Sequence, residues 1–368
     1  MGRLGEFVVF FMVTLFVAHV VKTLIFIGHF THIVNHSPGP CRVIEVNGSE
    51  DLALLNDGLV FVSSGLRYRL SISYDPVLDT REGKILTFDF NKADKNPVEL
   101  TLKNFNRSGF NPHGISAYQD PSSGAVSLFV INHRPDAQAI EIFDFERETH
   151  SLIHRRSVVN ELIWSPNNLH AVGPDAFYVT NDNLFRYGTV QQLLYMYILN
   201  NFFASNIVYF DGFKAIEAMS GVHPNGLAMD KDQSFVFASA THDNGVAVYR
   251  RRRDNTLEAS QVIKVGAHVD NINVDPVTGN LWLATIPKIL DIVAYSKNIS
   301  HPSASQVLEV QLWKSSASGI AFPYHKVREV YRNDGKELSA STSALVYKSQ
   351  LLVGTLSTNM LYCEVKYY

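Results

Sequence analysis

The chain has 368 residues, of which 46% are hydrophobic and 18% charged, and a formal net charge of −3. That composition supports a large buried core and excludes a disordered chain. The charge leaves no electrostatic footprint for nucleic acid, and the one basic run, at 250–253, reads as a solvated hairpin tip between VAVY and Asp254-Asn255.

The first element is FVVFFMVTLFVAHVV at 7–21, followed by Lys22 and TLIFIGHF. The run at 7–21 suits the core of a cleaved signal peptide. Counted on to residue 30, it approaches the roughly 20 apolar residues that cross a bilayer. No small-x-small cleavage site stands out, and Lys22 can lie near an interface, so a retained signal-anchor is expected. Residues 1–40 then form the anchor and juxtamembrane segment, and 41–368 the folded domain. The domain would be lumenal or extracellular, at the endoplasmic reticulum or plasma membrane, or secreted if the segment is cleaved. The two cysteines, Cys41 and Cys363, suit one disulfide tying the ends together in an oxidising compartment; the alternative is two unrelated buried thiols. Sequons at Asn35, Asn47, Asn106 and Asn298 agree with a secretory route.

Along the rest of the chain one phrase recurs. SEDLALL, NPHGISAY, SPNNLHAV, HPNGLAMD, HVDNINVD and, less cleanly, TSALVYK align on Glu50, His113, Asn167, Asn225, Asp270 and Ser343. After each comes a turn (NDG, DPSSG, GPD, DKDQ, DPVTG, KSQ) and a second β-prone run such as LVFVSS, VSLFVIN or NLWLATI. These are hairpin signals, and hairpins repeated at this period predict an all-β fold, a six-bladed β-propeller. A sandwich also uses many short strands, but nothing in it requires the same phrase at a fixed period. In a propeller the aligned residues converge on one ring around the axis. A disulfide between Cys41 and Cys363 would close that ring.

Glu50, Asn167, Asn225, Asp270 and Asn271 would bring only oxygen atoms to the ring, two carboxylates and three amides. Such a set suits a hard cation of calcium type better than zinc. The alternative is that each Asn or Asp bonds its own backbone at a strand start. His113 occupies a slot that carries oxygen ligands in other repeats, and His133 lies in the same blade. An imidazole beside a cation can act as general base on water while a second histidine relays the proton. No G-x-S-x-G, P-loop or HExxH motif competes for the chemistry.

GSEDL, NDGLVFVSSGLRY, FNPHGIS, INH, NNLHAVGPDAFYVTND, PNGL and VDNINVDPVTGNLW resemble the paraoxonases, over about residues 41–365. The resemblance implies a six-bladed propeller with two calcium ions in a central tunnel, hydrolysing lactones and aryl esters. It makes Glu50, Asn167, Asn225, Asp270 and Asn271 ligands of the catalytic calcium. A structural calcium would be held by Asp51, Asn168 and the Ile115 carbonyl, and His113 and His133 would be the histidine dyad. The apolar N-terminal segment and the terminal disulfide also match the family. Asn168 departs from the pattern, standing where the family usually has Asp. Asn183, Asn244 and Ile286 replace active-site histidines, His223-Pro224 an aromatic pocket position, and Thr285 a free cysteine. The apolar stretch at 190–210, with Leu193, Leu194, Tyr197 and Ile198 at helical spacing, resembles the family's helical insertion near the active-site face, where it touches membrane. Two functions remain open: a calcium-dependent lactone or aryl ester hydrolase, and a membrane-anchored accessory protein for degenerin-type ion channels.

Overall fold

A computed structural model describes residues 3–67, 80–185, 205–314 and 321–366. Among the described residues it contains six sheets, five of four antiparallel strands and one of four antiparallel strands with a fifth added, which are the blades of a propeller. Five blades use consecutive strands. The sixth takes Ser341–Tyr347, Gln350–Thr355 and Met360–Glu364 from the end of the chain and Cys41–Ile44 from its beginning. Cys41 lies opposite Cys363 in that last strand pair, and a disulfide joins them across 322 residues. The second blade gains a strand, Thr101–Lys103, paired in parallel with Ser151–Val158.

Successive side chains of a strand face opposite ways, so a blade's middle strands must serve two neighbours at once. Phe235 and Phe237 point into the core shared with the fifth blade, beside Leu281 and Leu283. Val236 and Ala238, from the same strand, point the other way and pack with Tyr178 and Ile207 of the third. The hydrophobic core therefore lies in wedges between blades. One wedge, holding Val60, Val62 and Phe88 against Leu345, Leu352 and Met360, joins first blade to last. Runs such as VSLFVINH, buried at every position, follow from this two-sided packing.

The inner strands share one irregularity. Their ladders skip between Pro112 and Ile115, Pro166 and Leu169, Pro224 and Leu227, and Val269 and Ile272. The skipped residues are His113-Gly114, Asn167-Asn168, Asn225-Gly226 and Asp270-Asn271. A bulge frees a side chain from the pleat and re-aims it. In the sixth blade the skip, between Ser341 and Ser343, leaves out only Thr342. The sequence alignment on Ser343 is therefore one residue late, because this bulge is one residue shorter.

Among the described residues two α-helices flank the propeller. Helix α1, Arg3–Phe26, is apolar and exposed along most of its length, packing on the propeller only at its end, where the Phe26 ring meets His268. Helix α2, Ile289–Lys297, was not anticipated from the sequence. Of the stretch at 190–210, residues 190–204, with Leu193, Leu194, Tyr197 and Ile198, lie outside the described residues. Its end, Ser205–Phe210, is a fully buried strand of the third blade rather than helix.

Candidate active site and metal centre

The bulged residues open onto two cavities. One, of about 310 Å³, is lined by Glu50, His113, Asn167, Asn225 and Asp270 together with Asp182 and Thr342. The other, of about 520 Å³, is lined by their chain neighbours Asp51, Ile115, Asn168, Leu227 and Ile272. Each inner strand thus begins at the first cavity and runs on along the second. Isoleucines 286, 289 and 292 with Leu356 give the first cavity an apolar wall. Asn183 and Pro224 also line it, so with Ile286 three of the positions read as departures from the family resemblance are in contact with whatever enters.

Three oxygens in the first cavity are buried without a hydrogen-bond partner: Glu50 Oε2, Asn167 Oδ1 and Asn225 Oδ1. Their orientation has a cause. Asn167 Nδ2 donates to Asp182 Oδ2 at 3.1 Å, which turns its carbonyl oxygen the other way. A hydrogen bond from Asn225 to Asp270 does the same on the opposite side. Burial pushes the Glu50 carboxyl up to about 8, and burial with the nearby Glu50 and Asp51 pushes Asp270 well above the usual carboxylate range. No lysine or arginine lines the cavity among the described residues. Orphaned carbonyl oxygens beside crowded carboxyls fit a hard divalent cation, which would satisfy the one and hold the other ionised. Among the described residues no three His, Cys, Asp or Glu side chains could hold a metal by themselves, so amide oxygens are essential to any such site.

The second set is wired differently. Asp51 Oδ1 accepts from the Leu52 N–H and the Ser343 hydroxyl, and Oδ2 accepts from the Ile115 N–H and from Asn168 Nδ2 at 3.0 Å. Asn168 Nδ2 also donates to Asn271 Oδ1 at 2.8 Å, and its own Oδ1 accepts from the Leu227 N–H. Asn271, expected among the ligands of the first ion, donates Nδ2 to Glu50 Oε1 at 3.0 Å, and its oxygen accepts from Asn168. So bonded, these side chains do not fit a second cation: the Asp51, Asn168 and Asn271 side-chain oxygens are already in use and an N–H₂ group points inward.

His113 and His133 are both buried and form a pair, His113 Nδ1 to His133 Nε2 at 2.7 Å. His133 Nδ1 meets the Gln138 carbonyl oxygen, which can only accept, so His133 carries its proton there. His133 Nε2 must then accept, which places a proton on His113 Nδ1. His113 Nε2 is left as the basic nitrogen, 3.4 Å from Glu50 Oε1 and facing the cavity. Burial lowers His113 to about 4 against the opposing charge of Asp182, and burial with the neighbouring His113 lowers His133 well below the usual range. Sequence reasoning missed Asp182, Gln138 and Thr342. Asp182 ends the second run of its repeat, in VTND, and Gln138 pairs with His133 across a hairpin; both positions were readable once the strands were placed.

Helix α1 ends at the rim of the same cavity. The Phe26 carbonyl accepts from His268 Nε2 at 3.0 Å and from Asn244 Nδ2 at 3.3 Å, and the Ile289 N–H of α2 donates to the Ile27 carbonyl. Thr285, in the place of a free cysteine, is buried and donates to Gln306 Oε1 at 2.7 Å. The four sequon asparagines, Asn35, Asn47, Asn106 and Asn298, are all exposed.

Comparison with known proteins agrees with this architecture. A family model described as Arylesterase matches residues 35–365. The chain is 37% identical over 322 residues to serum paraoxonase/arylesterase 1 of Homo sapiens, covering 86% of each. It is 34% identical over 329 residues to serum paraoxonase/lactonase 3 of Oryctolagus cuniculus, covering 89% of each. Among solved structures it is similar to a luciferin-regenerating enzyme, with a TM-score of 0.50, 10% identity and coverage of 88% of this chain and 94% of that one, a likeness of fold alone.

Proposed function

The chain belongs to the arylesterase family, the paraoxonases, and from that premise we propose that it is a calcium-dependent hydrolase of lactones or aryl esters. The observation that carries the reading is the convergence, in one cavity, of three unpartnered buried oxygens and a histidine whose basic nitrogen faces them. Glu50, Asn167, Asn225 and Asp270 would hold the ion. When bound, calcium supplies a positive centre that polarises an ester carbonyl and stabilises its developing negative charge. His113 Nε2 takes a proton from the attacking water, and the proton on His113 Nδ1 is shared with His133. Gln138 fixes the tautomer that makes this order possible. The isoleucine and leucine wall receives the apolar part of the substrate and limits water at the reacting carbon.

The apolar helix and the disulfide suggest a secretory route, with the helix as signal or anchor. We place the protein as membrane-anchored, its cavity rim held close to the bilayer by the end of α1. The exposed sequon asparagines are the sites at which glycans would be carried. The channel-accessory reading has no feature behind it among the described residues.

Activity on a panel of lactones and aryl esters, with and without chelator, tests the reading. Chelation should abolish turnover, and His113→Gln should lower kcat/KM by about 10²–10⁴-fold with calcium still bound. Unchanged turnover in His113→Gln would remove the dyad from the mechanism. A folded, calcium-loaded protein inert on the whole panel would overturn the hydrolase and favour the accessory role.

A further inference from the structure

We propose that the Asn168 carboxamide takes the place of a second cation at the propeller axis, so that this chain holds one ion where its family resemblance implies two; the count of one rests on the Glu50 cavity being the calcium site of the proposed hydrolase. Between the two cavities Asp51, Asn168 and Asn271, from the first, third and fifth blades, meet as a buried plug. Asn168 Nδ2 reaches both of the others, 3.0 Å to Asp51 Oδ2 and 2.8 Å to Asn271 Oδ1. The remaining bulge positions leave room for them. They are Gly114 and Gly226, whose α-carbons lie so close to the next blade that an added Cβ would stand 2.5 Å from the Asn167 carbonyl and 2.4 Å from that of Asp270.

Amide orientation decides what the plug can bind. Asn271 Nδ2 faces two acceptors, Glu50 O at 3.2 Å and Glu50 Oε1 at 3.0 Å, so its oxygen must face Asn168. The Leu227 N–H faces Asn168 Oδ1, so the Asn168 N–H₂ must face Asp51 and Asn271. Each step fixes the next, and no alternative flip keeps donors against acceptors. A carboxylate offers about four acceptor positions, and Asp51 has four donors upon it. One N–H₂ group thus joins two oxygens that would otherwise repel, which is the work an ion would do. With Asp at 168 the same geometry would set two carboxyl groups and an amide oxygen around one point, with no N–H₂ group between them, and a cation would be the group that holds them together while ionised.

Full-length protein in detergent, equilibrated with millimolar calcium and cleared of loose metal on a chelating resin, should carry one calcium per chain by inductively coupled plasma mass spectrometry. Asn168→Asp should carry one more. Two ions in the wild type, or no gain in a folded Asn168→Asp protein, overturns the proposal. No ion in the wild type but one in Asn168→Asp would sink the reading of the Glu50 cavity and leave this plug ion-free as proposed. Should Asn168→Asp fail to fold, Asn168→Ala decides. With calcium chelated, its thermal midpoint should fall by roughly 5 °C or more below the chelated wild type, from the loss of buried partners. Equal midpoints would show that the carboxamide bridges nothing and would overturn the proposal.

Discussion

Four asparagines near the axis share one chemistry and divide into two roles by their neighbours. Asn167 and Asn225 spend their N–H₂ groups on Asp182 and Asp270 and present bare oxygens, whereas Asn168 and Asn271 have both ends engaged. A single sequence reveals the residue type and its slot, and so the oxygen-bearing ring was legible. It does not reveal which way an amide turns, because partners from other blades decide that. Asp182 is the positioning residue for Asn167. Asp182→Asn puts a carboxamide, which can turn either a donor or an acceptor to Asn167, where a carboxylate could only accept; the flip is no longer fixed, and calcium affinity should fall roughly 10–100-fold in titration calorimetry. The far-UV spectrum and a melt in saturating calcium should be unchanged. An unaltered affinity would mean that the Asn167 oxygen is not used. The carboxyls also predict how calcium-stripped protein responds to pH. Asp51 is raised from 3.8 to about 8 and Glu50 from 4.5 to about 8, both chiefly by burial. A carboxyl raised on folding favours the folded state while protonated, so stability is fullest below the unfolded value and is lost as pH rises through the folded one. Chelated protein should therefore lose melting temperature between about pH 5 and pH 8.5, and calcium should flatten that slope. A chelated midpoint that rises with pH would contradict the crowding of these carboxyls.

At the scale of the strand, the bulge is the unit that makes a site out of a repeat. It explains why HPNGL and its relatives could be read at all: proline or a small residue enters the strand, the next two positions leave the ladder, and the strand resumes at Leu or Ile. The outer strands carry no such phrase and were not individually placed from sequence. The sixth repeat, with its shorter bulge, was placed one residue off for the same reason. Gly226 shows how tight the arrangement is. A Cβ there would meet backbone atoms of Asp270 and Asn271 at 2.4 and 2.6 Å, and backbone cannot step aside as a flexible side chain can. Gly226→Ala should destabilise the protein by about 1–3 kcal/mol and disturb the Asp270 carbonyl that Ser239 holds. Gly173→Ala, where the nearest atom is the Ala176 Cβ at 3.6 Å, is the matched control and should stay within about 0.5 kcal/mol. Equal melting temperatures for the two variants would show that the inner strands have slack the packing denies.

For the molecule as a whole, the two ends of the chain matter most. The last blade is completed by the strand Cys41–Ile44, and the disulfide restrains a loop so long that its removal should cost about 5 kcal/mol by the chain-entropy argument. A Cys41→Ser, Cys363→Ser protein should melt well below the wild type and expose the Leu345–Val60 wedge first, read as early loss of protection in hydrogen exchange there. Helix α1 poses the sharper question, because composition alone fits a discarded signal as well as a retained anchor. Its 24 residues span about 36 Å, more than the roughly 30 Å of a bilayer core. The turn at the end of the helix is fitted to the propeller in a way a discarded peptide need not be. Gly28 takes a left-handed turn at φ +71, with a Cβ position 1.9 Å from the Pro287 carbonyl, a place that no other residue could occupy. The Phe26 and Ile27 carbonyls meanwhile serve His268, Asn244 and the start of α2. Cleavage after the hydrophobic run would strip these partners from the rim of the cavity. The chain made in cells should therefore keep residues 1–26 by mass spectrometry and stay in the membrane pellet through an alkaline carbonate wash. A mature N-terminus beyond residue 28 would end the anchor reading, and with it the placement of the cavity against the bilayer.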